Sequence, residues 1–600
     1  MATPADFSRV FDVVGYQLQK HPQQHAVNIW RNGKWIRFSV SEIERRSDCV
    51  ACWLIQQEIK EGARIAVVPR SGSPEWLMVE LGIQKAGLTV VPIHASASID
   101  ETTFILNETE AVLCISADTG LYYKISSLAL KSRLIGNYHL QPDAAGYLPA
   151  FNYKPTAEIT EQLSWRKKQV SAESLSAILY TSGTAGNQKG VMLTHKNMVS
   201  SIKSILPLMP VKPGSRVLSF LPVSHVFERT TCFAYLALGV EIYFSQSRET
   251  LAQDFLRARP HLFTSVPKAL ERMYAILQEQ AMHKNPVIRW VIRKALRLGE
   301  HYDVIKRQNL FYHFRLVLAR LLVYNKWKRA LGGSVRFIIV GAAALRPNIA
   351  RLFSASGILT LSGYGMTETS PYISVNRVEP GMNKFGTVGI AVPGVQLRIH
   401  EPDEHGEGEI CVQGPNVMAG YYRREDLTRE VLINGWLHTG DVGKLEDGRF
   451  LVITGRKKEI FKTTTGLYIS PSQLENHFTA SPFISQCMII GFNRPYVSAL
   501  IVPHFGLLKA WCEEHGIHWT APAYMVHNIK ILQKIQDEID RLNEPLENYK
   551  RVRRFVLADS EWTAESGELT ASYKLIRDKL LNKYAKEIEK MYQEPGRKEN

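Results

Sequence analysis

The 600-residue sequence lacks the features that mark membrane-spanning and secreted proteins. No uninterrupted apolar run reaches the roughly 18 residues that a membrane-spanning helix requires. The first residues, MATPADFSRVFDVVGYQLQKH, contain no basic stretch followed by an apolar core, so we expect no secretory signal. Together these absences predict a cytoplasmic protein.

Cysteine is scarce, and its few positions are scattered along the chain. An odd, dispersed number of cysteines indicates reduced thiols rather than a disulfide framework. The pair Cys49 and Cys52 forms a lone C-x-x-C within a helical pattern, which favours two buried helix residues over a metal or redox site. The 7 cysteines are Cys49, Cys52, Cys114, Cys232, Cys411, Cys487 and Cys512.

Acidic residues are outnumbered, because 57 Asp and Glu accompany 73 Lys and Arg, which gives a formal net charge of +16. Between Ala281 and Ala330 there are 12 basic residues, 2 acidic residues and several aromatic side chains. Such a charge indicates nucleic acid, an anionic membrane or a phosphorylated ligand. Apolar residues at helical spacing over 285–327 favour helices lying on the inner face of an anionic membrane. Two helices packed on the protein body, with solvated charges, would give the same pattern.

Short apolar strands alternate with helical patterns in the first part of the chain. ARIAVVP (63–69) and LTVVPI (88–93) flank SPEWLMVELGIQKAG (73–87), a predicted helix capped by Ser73 and closed by Gly87. Strand, helix and strand in this order predict a parallel sheet. The length exceeds what one hydrophobic core organises, so we expect at least two domains.

The pattern changes towards the end of the chain. After about Val395, short strands are punctuated by glycine, and a smaller α+β part follows Arg456. We therefore predict an α/β fold, with a large N-terminal domain (1–455) of parallel and mixed sheets flanked by helices. A small α+β C-terminal domain (456–600) follows a break between Thr454 and Lys458.

A polar loop joins two apolar strands in LYTSGTAGNQKGVMLTH (179–195). A Walker phosphate loop needs G-x-x-x-x-G-K-[ST] running into a helix, and both the spacing and the following strand exclude it. Glycines permit close backbone approach to a phosphate, and hydroxyls and a lysine donate to its oxygens. The residues of this kind are Thr181, Ser182, Gly183, Thr184, Gly186 and Lys189. Considered alone, they are also typical of a plain polar hairpin.

The loop resembles the phosphate-binding signature of the adenylate-forming superfamily, which includes acyl-CoA synthetases, firefly-type luciferases and peptide-synthetase adenylation domains. Six later stretches match it in the same order, and 434–466 is most similar to long-chain fatty acyl-CoA synthetases. They are LPVSHVFER (221–229), GAAAL (341–345), GYGMTET (363–369), GWLHTGDVG (435–443), GRKKEIFKTTTGLYISP (455–471) and GELTASYK (567–574). The loop departs from the superfamily at Ala185 and Gln188, where threonine and proline are usual, which removes one hydroxyl and loosens the turn.

The resemblance implies the adenylate-forming enzyme fold and a two-step reaction that uses ATP, Mg²⁺ and coenzyme A. A carboxylate attacks the α-phosphorus of ATP, and a thiol then attacks the resulting acyl-AMP. The loop from Thr181 to Lys189 is expected to hold the β- and γ-phosphates, and Thr367 to reach the α-phosphate. Thr184 and Glu368 are expected to bind Mg²⁺, which prefers oxygen ligands. The alternative for Thr367 and Glu368 is a helix cap and first-turn acid.

The resemblance also implies a nucleoside site. Small residues after a buried strand leave room for adenine, on which Tyr364 stacks. Asp441 is expected to accept hydrogen bonds from the ribose, and Arg456 to support it. Considered singly, Tyr364 is typical of a core and Asp441 of a turn. The small residues are Gly341, Ala342, Ala343 and Gly365.

The remaining residues implied by the resemblance belong to the acyl site and to the moving parts. Lys574 is expected to bridge the substrate carboxylate and the α-phosphate as a flexible point charge. Lys458 falls at a hinge about which the mobile C-terminal domain rotates, and Gly466 then admits the pantetheine arm. His225 is expected at the carboxylate end of an acyl pocket formed by 220–244, although a lone histidine there is also typical of a structural role.

We therefore predict a long-chain fatty acid–CoA ligase acting through acyl-AMP. One alternative is a fatty acyl-AMP ligase that loads an acyl carrier protein, but the inter-domain insertion of such relatives is missing after Arg456. A second alternative is a catalytically inactive, basic membrane-surface protein, which the intact Lys189, Glu368 and Lys574 disfavour. Nucleic-acid binding explains the charge but none of the motifs, so we expect no nucleic-acid partner.

Overall fold

The computed structural model describes residues 6–130, 134–142, 144–181, 188–282, 285–305, 309–464, 468–563, 565–570 and 574–593, with the backbone alone for 277–282. The strands are β1 (Val27–Arg31), β2 (Lys34–Phe38), β3 (Arg64–Val68), β4 (Thr89–Pro92), β5 (Leu113–Ser116), β6 (Gly136–His139), β7 (Leu175–Thr181), β8 (Lys189–Thr194), β9 (Arg216–Ser219), β10 (Glu241–Phe244), β11 (Leu262–Ser265), β12 (Phe337–Val340), β13 (Leu359–Gly365), β14 (Tyr372–Val375), β15 (Ile390–Ala391), β16 (Gln396–His400), β17 (Gly408–Gln413), β18 (Gly420–Tyr421), β19 (Leu432–Ile433), β20 (Trp436–Glu446), β21 (Phe450–Arg456), β22 (Phe461–Lys462), β23 (Tyr468–Ile469), β24 (Ile484–Ile490), β25 (Val497–Pro503) and β26 (Val552–Leu557).

Helices surround these strands. They are α1 (Asp12–Lys20), α2 (Val40–Gln56), α3 (Trp76–Lys85), α4 (Ile99–Thr109), α5 (Thr119–Ser126), α6 (Ala157–Gln169), α7 (His195–Ile205), α8 (Val226–Leu238), α9 (Leu251–Ala258), α10 (Pro267–Met282), α11 (Pro286–Glu300), α12 (Leu310–Ala319), α13 (Asn325–Ala330), α14 (Pro347–Ala355), α15 (Glu425–Val431), α16 (Pro471–Phe478), α17 (Phe505–Glu514), α18 (Pro522–Met525), α19 (Ile529–Asn543), α20 (Arg577–Lys583) and α21 (Ala585–Gln593). A π-helical turn, Arg320–Tyr324, joins α12 to α13.

The largest sheet has nine strands in the order β15-β14-β13-β12-β11-β9-β10-β1-β2. The six strands from β13 to β1 in this order run parallel, and β2, β14 and β15 pair antiparallel at the edges. Helices connect the parallel strands, as crossovers in buried parallel sheets require. Because β12 and β13 are parallel neighbours, the GAAAL and GYGMTET stretches at their carboxyl ends lie side by side. Ligands commonly bind at such an edge of an α/β sheet.

The second large sheet has seven strands in the order β18-β8-β7-β4-β3-β5-β6. The strands β7, β4, β3, β5 and β6 run parallel, as the alternation of strands and helices predicted. The strands β7 and β8 form an antiparallel pair, which confirms that the polar loop joins strand to strand. The predicted cap of α3 is wrong. Pro74 and Glu75 form a turn that the Trp76 N–H closes by donating to the carbonyl of Ser73, and the helix begins at Trp76 without a side-chain cap.

Antiparallel strands make up the rest of the N-terminal part. The strands β16, β17, β19, β20 and β21 form a five-stranded sheet, as the glycine-punctuated pattern predicted. Asp441 and Arg456 face each other across β20 and β21, so Asp441 lies in a strand and the turn interpretation is wrong. The C-terminal part contains the three-stranded sheet β24-β25-β26, the hairpin β22-β23 and helices α16–α21, which confirms its α+β character. The predicted domain limits at 455 and 456 stay a prediction.

The core of the N-terminal part is built around α3 and α8, whose side chains are almost all buried. Glu80 of α3 and Arg229 of α8 form a 2.6 Å ion pair with side chains only 0% and 1% exposed. Arg229 also donates to the carbonyl oxygen of Val223 over 3.0 Å. Burial raises the pKa of Glu80 to about 7, against the opposing effect of Arg229. This pair therefore fixes the LPVSHVFER stretch against the core.

The structure also bears on the cysteine pair and on the absence of a predicted membrane-spanning helix. Cys49 and Cys52 lie in α2, unpaired, with Cys52 buried and Cys49 partly exposed, which confirms the helix interpretation. Among the helices of the described residues, none combines the length and the apolar character needed to cross a bilayer.

Candidate active site

The predicted phosphate loop is anchored at both ends by strands. Thr181 ends β7, Lys189 begins β8, and the two residues pair across the hairpin. The other predicted phosphate-binding residues of the loop lie outside the described residues: Ser182, Gly183, Thr184 and Gly186. Their role stays a prediction.

Lys189 and Glu368 are brought together by Tyr421, a residue that the sequence analysis did not identify. The Lys189 ammonium lies 4.9 Å from the centroid of the Tyr421 ring. The Tyr421 hydroxyl donates a 2.8 Å hydrogen bond to Oε1 of Glu368. Burial, followed by the charge of Glu368, raises the pKa of Tyr421 well above its usual range, so the hydroxyl keeps the proton that it donates.

Thr367 and Glu368 are buried in a short 3₁₀ turn directly after β13. The cap of this turn is Met366 rather than Thr367, so the predicted cap role of Thr367 is wrong, whereas Glu368 does lie in a first helical turn, although of only three residues. Glu368 fits the predicted magnesium ligand, because within the described part of the chain its Oε2 accepts no hydrogen bond. Mg²⁺ is commonly held by one or two carboxylates together with substrate phosphates. The second predicted ligand, Thr184, lies outside the described residues.

A small apolar cavity lies between the carboxyl ends of β12 and β13 and the start of α8. Phe227 and Tyr372 contribute aromatic walls. Ala343 lies in the same turn as the predicted adenine residues but is exposed and does not line this cavity. The predicted site residues that line it are His225, Gly341, Ala342, Tyr364 and Gly365.

The backbone around this cavity adopts conformations that few residues tolerate. Ala342 has a φ of 71°, in the left-handed region that a residue with a side chain rarely occupies. A β-carbon on Gly365 would overlap the carbonyl oxygen of Pro371, so only glycine fits there. Strained or tightly packed backbone of this kind is often found at ligand sites.

Asp441 connects the cavity to the domain junction. Its Oδ2 accepts a 2.6 Å hydrogen bond from the Tyr364 hydroxyl, and its Oδ1 lies 3.1 Å from Nε of Arg456. Burial, followed by the charge of Asp441, raises the pKa of Tyr364 well above its usual range. Each carboxylate oxygen has two lone pairs, so Asp441 retains acceptor capacity for the hydroxyls of a ribose.

Lys574, from the C-terminal part, faces the same group of residues. Its backbone N–H donates a 3.0 Å hydrogen bond to Oγ1 of Thr570. The side chain keeps accessible surface but stands among crowded protein atoms, and this desolvation lowers the pKa of its ammonium. The positive charge of Arg456 lowers that pKa further, and the negative charges of Asp441 and Glu368 oppose the shift. The charges of three predicted site residues, Arg456, Asp441 and Glu368, therefore act on the ammonium of Lys574.

His225 precedes α8 and faces the cavity. Its Nδ1 accepts a 3.3 Å hydrogen bond from the backbone N–H of Phe227. Although the residue keeps accessible surface within the cleft, removal from bulk water lowers the pKa of its imidazole to about 4, with smaller contributions from Lys574 and His94. The ring is therefore neutral near pH 7. His225 thus both caps α8 and forms part of the cavity wall.

The predicted hinge residue, Lys458, is exposed in the turn that follows β21. The residue before it is held firmly, because the Lys457 N–H donates 2.8 Å to the carbonyl of Gly440 and its Nζ lies 3.1 Å from Glu409. Glu409 also accepts a 3.2 Å hydrogen bond from the Gly440 N–H. Gly466, the predicted contact of pantetheine, lies outside the described residues.

Glu409, Cys411 and His438 place potential metal-ligand atoms within 4.8 Å of one another. However, Nδ1 of His438 lies 3.0 Å from Glu409 and 3.5 Å from the sulfur of Cys411, and Lys457 occupies the same carboxylate. These contacts satisfy the three side chains without a metal, so we interpret the group as a hydrogen-bonded network.

Comparisons with known proteins identify the family of this chain. A family model described as AMP-binding enzyme matches residues 15–422, and one described as AMP-binding enzyme C-terminal domain matches 459–595. The chain thus belongs to the family of AMP-binding enzymes, which confirms the predicted superfamily and fold.

Individual relatives extend the comparison. A long-chain-fatty-acid–CoA ligase of Mycobacterium bovis is 29% identical, over 94% of this chain and 93% of the relative. The human long-chain-fatty-acid–CoA ligase 1 is 28% identical, over 93% of this chain and 82% of the relative. The ATP-bound structure of MatB from Rhodopseudomonas palustris superposes with a TM-score of 0.69 at 22% identity, covering 96% and 99% of the two chains. That structural likeness concerns the fold, and the relatives give no support to the inactive-protein alternative.

Proposed function

We propose that this protein activates a long-chain fatty acid with ATP to give acyl-AMP and pyrophosphate, and then transfers the acyl group to coenzyme A. The curated relatives named above are ligases of this kind. The observation that carries the proposal is electrostatic: the charges of Asp441 and Glu368 in the N-terminal part act on the pKa of Lys574 from the C-terminal part, and the charge of Lys574 acts on that of His225. No single segment of the sequence would place these groups together.

The first step must bring two anions into contact. An oxygen of the fatty acid carboxylate bonds to the α-phosphorus, and the bond from that phosphorus to the bridging oxygen breaks, so that pyrophosphate leaves with the electron pair. We propose that Lys574 lies between the carboxylate and the α-phosphate, while Lys189 pairs with the leaving phosphates. Positive charge held in place before the reaction stabilises the developing negative charge. Mg²⁺ held by Glu368 and Thr184 would neutralise further phosphate charge.

The other site residues position the two substrates. Asp441 and Arg456 would hold the ribose, Tyr364 would contact the adenine, and Thr367 would reach the α-phosphate. His225 is neutral near pH 7 because its pKa is lowered to about 4, so it adds no charge beside the carboxylate. The side of the apolar cavity lined by His225 and Phe227 would receive the alkyl chain next to the carboxylate, and the side lined by Gly341, Ala342 and Tyr364 would be left to the adenine.

The second step requires a different face of the C-terminal domain. We propose that residues 456–600 rotate about Lys458 as a unit, which removes Lys574 and presents Gly466 to the pantetheine arm. The thiol sulfur bonds to the acyl carbon, the bond from that carbon to the AMP oxygen breaks, and the thiol proton passes to solvent. Coenzyme A is the preferred acceptor, with an acyl carrier protein as the alternative.

We also propose that the protein is cytoplasmic and contacts the inner face of an anionic membrane through residues 285–327. Long-chain fatty acids partition into membranes, so this contact would bring the enzyme to its substrate. The basic composition of the segment supports such a contact.

Product identification tests the proposal directly. The purified protein is incubated with ATP, Mg²⁺ and fatty acids of increasing length, with coenzyme A, with an acyl carrier protein, or with neither. We expect fatty-acid-dependent exchange of labelled pyrophosphate into ATP without any acceptor, and acyl-CoA when coenzyme A is present. Acylation of the carrier protein alone would support the alternative acceptor. No exchange with any fatty acid would refute the proposed activity.

A further inference from the structure

The connection between β11 and β12 is much longer than the sheet requires. The two strands are parallel neighbours, yet 71 residues (266–336) separate Ser265 from Phe337. A crossover between parallel strands needs about a dozen residues. The crossover itself therefore does not account for most of this connection. The additional part consists of α11, α12, the π-helical turn and α13.

The helix α12 is held in one orientation by its inner face. The Tyr312 hydroxyl donates a 2.8 Å hydrogen bond to the carbonyl of Leu298 in α11, and the Tyr324 hydroxyl donates a 2.5 Å bond to the carbonyl of Ala295. Leu316 is buried in the same small core. The opposite face of α12 is consequently fixed towards the outside of the molecule.

That outward face is apolar along its whole length. Leu310 is 89% exposed, Phe314 is 63% exposed and Leu321 is 62% exposed. A helix that is apolar on both faces is normally buried on both faces, and large exposed apolar patches mark interaction sites. The exposed apolar residues of α12 and of the π-helical turn that continues it, which we call the apolar ridge, are Leu310, Phe311, Phe314, Val317, Leu318, Leu321 and Leu322.

Arg315 borders the apolar ridge directly, and the helices before and after it in the chain, α11 and α13, carry further cations. The Arg315 guanidinium lies 5.5 Å from the centroid of the Phe311 ring, and in α11 the Lys294 ammonium lies 5.6 Å from that of Trp290. Within the described ranges, several cations of α11–α13 form no ion pair with a carboxylate. They are Lys294, Arg297, Arg315, Arg320, Lys326, Lys328 and Arg329.

Among the possible binding partners of the apolar ridge, these features favour an anionic membrane. An apolar helix face bordered by Lys, Arg and aromatic side chains is typical of a helix lying in the plane of an anionic membrane, with its apolar face at the acyl boundary. A second copy of this chain on the same face would bring like charges together in a two-fold contact. Nucleic acid would use the cations and leave the apolar ridge in water.

We propose that the apolar ridge inserts into an anionic phospholipid leaflet, with α12 parallel to the membrane surface and with Arg315 and the unpaired cations of α11 and α13 at the headgroups. Residues 285–327 thereby contact the membrane mainly through α12 rather than along their whole length. In α11, Arg289 contacts Glu514 of α17 over 2.8 Å and so faces the C-terminal part of this chain. The inference deepens the proposed membrane contact, and its link to a lipid substrate rests on the proposed function.

Vesicle binding tests the proposed insertion of the apolar ridge and does not depend on whether the protein is an active ligase. The full-length protein is sedimented with vesicles of phosphatidylcholine alone or mixed equally with phosphatidylglycerol, at low and high salt. The test variant is Phe311→Ser with Phe314→Ser. The matched control is Tyr524→Ser with Ile529→Ser, which removes apolar residues of similar exposure, 75% and 80%, from the C-terminal part. We expect binding to the anionic vesicles that weakens in high salt, and about a 100-fold loss in the test variant, because each buried phenylalanine contributes roughly tenfold or more.

A second measurement reports insertion at one position. Phe314→Cys is labelled with an environment-sensitive fluorophore in a Cys49→Ser background, since Cys49 is the cysteine of the described residues that keeps exposure. We expect a blue shift with anionic vesicles and none with phosphatidylcholine alone. Full vesicle binding by the double serine variant, or no binding by the unaltered protein, would overturn the proposal. A dimer that becomes a monomer in the variant would also overturn it, because the occupant would then be a second copy. If the unaltered protein bound the anionic vesicles but showed no ligase activity, the result would contradict the proposed reaction and leave the membrane contact supported.

Discussion

The Tyr421 hydroxyl donates a 2.8 Å hydrogen bond to Oε1 of Glu368, and so joins the seven-stranded sheet to the turn that follows β13. Because Lys189 lies over the same ring, the tyrosine connects the strand that ends the phosphate loop to the proposed magnesium ligand. The distance between the two charged groups is therefore set by a neutral aromatic side chain.

Replacement of Tyr421 by phenylalanine tests this connection. A hydrogen bond to a charged group contributes about 1.5–3 kcal/mol, so we expect the rate of acyl-AMP formation at limiting Mg²⁺ to fall at least tenfold. Pyrophosphate release measured against Mg²⁺ concentration gives the effect, with Tyr422→Phe as the control on the neighbouring residue. A Tyr421→Phe enzyme with the magnesium dependence of the unaltered protein would contradict a positioning role.

Replacement of Gly365 by alanine should be severely damaging. The added β-carbon would overlap the backbone carbonyl oxygen of Pro371, so the main chain itself would have to shift. We expect a loss of more than about 2 kcal/mol in the free energy of unfolding and no measurable ATP binding. Gly15→Ala in α1 is the matched control, since no atom lies within 4 Å of its added carbon. Urea unfolding should show that variant unchanged or up to about 1 kcal/mol more stable. Equal stabilities for the two variants would contradict the packing argument.

Buried His195 should make the stability of the protein depend on pH. Its Nδ1 accepts a 3.1 Å hydrogen bond from the Val10 N–H, and burial lowers its pKa from 6.5 to about 3. The unfolded chain binds the proton first as the pH falls, so this contribution is complete above pH 6.5 and is lost progressively towards pH 3. At pH 4.5 the loss is about 3 kcal/mol.

His195→Asn isolates this contribution from that of the carboxylates. Asparagine offers an oxygen to the Val10 N–H but does not titrate, so the variant should lose less stability than the unaltered protein between pH 6.5 and 4.5. Urea unfolding at both pH values measures the difference. The same pH dependence in both proteins would show that His195 does not control it.

Loss of one partner of the buried Glu80–Arg229 pair should lower the free energy of unfolding far more than replacement of both partners by apolar residues. Removal of one partner leaves an unpaired buried charge, at a cost of about 3–5 kcal/mol. We expect Arg229→Met to lower the free energy of unfolding by that amount, and Glu80→Leu with Arg229→Met to recover most of it. Chemical unfolding of both single variants and the double variant completes the cycle. Additive losses in the double variant would show that the two charges are not coupled.

The sequence predicted those parts of the site that depend on local chemistry. The polar loop between two strands, the small residues after β12 and the acid after β13 could be recognised because each follows directly from residue type and order. Lys574 could be selected only through the resemblance of its surrounding stretch. The loop interior at 182–187 lies outside the described residues and stays a prediction.

Contacts made by tertiary pairing were not predictable in the same way. Tyr421 lies in the two-residue strand β18, and its only signal in the sequence is a pair of tyrosines after a glycine. Asp441 also fits a turn by residue type, and only the pairing of β20 with β21 shows that it lies in a strand. The Ser73 cap failed because Pro74 and Glu75 formed a turn before the helix began. For Tyr421 the deciding neighbour is remote in sequence, whereas for Ser73 it is the local backbone conformation, which residue type alone does not determine.

The central claim is that Lys574 acts from one domain on chemistry in the other. The most direct measurement is the single-turnover rate of acyl-AMP formation without coenzyme A in Lys574→Ala, compared with Lys586→Ala at an exposed position of α21. We predict that Lys574→Ala slows this step by about 100-fold or more, while conversion of supplied acyl-AMP to acyl-CoA continues and Lys586→Ala behaves as the unaltered protein. An unchanged rate of acyl-AMP formation in Lys574→Ala would contradict the account.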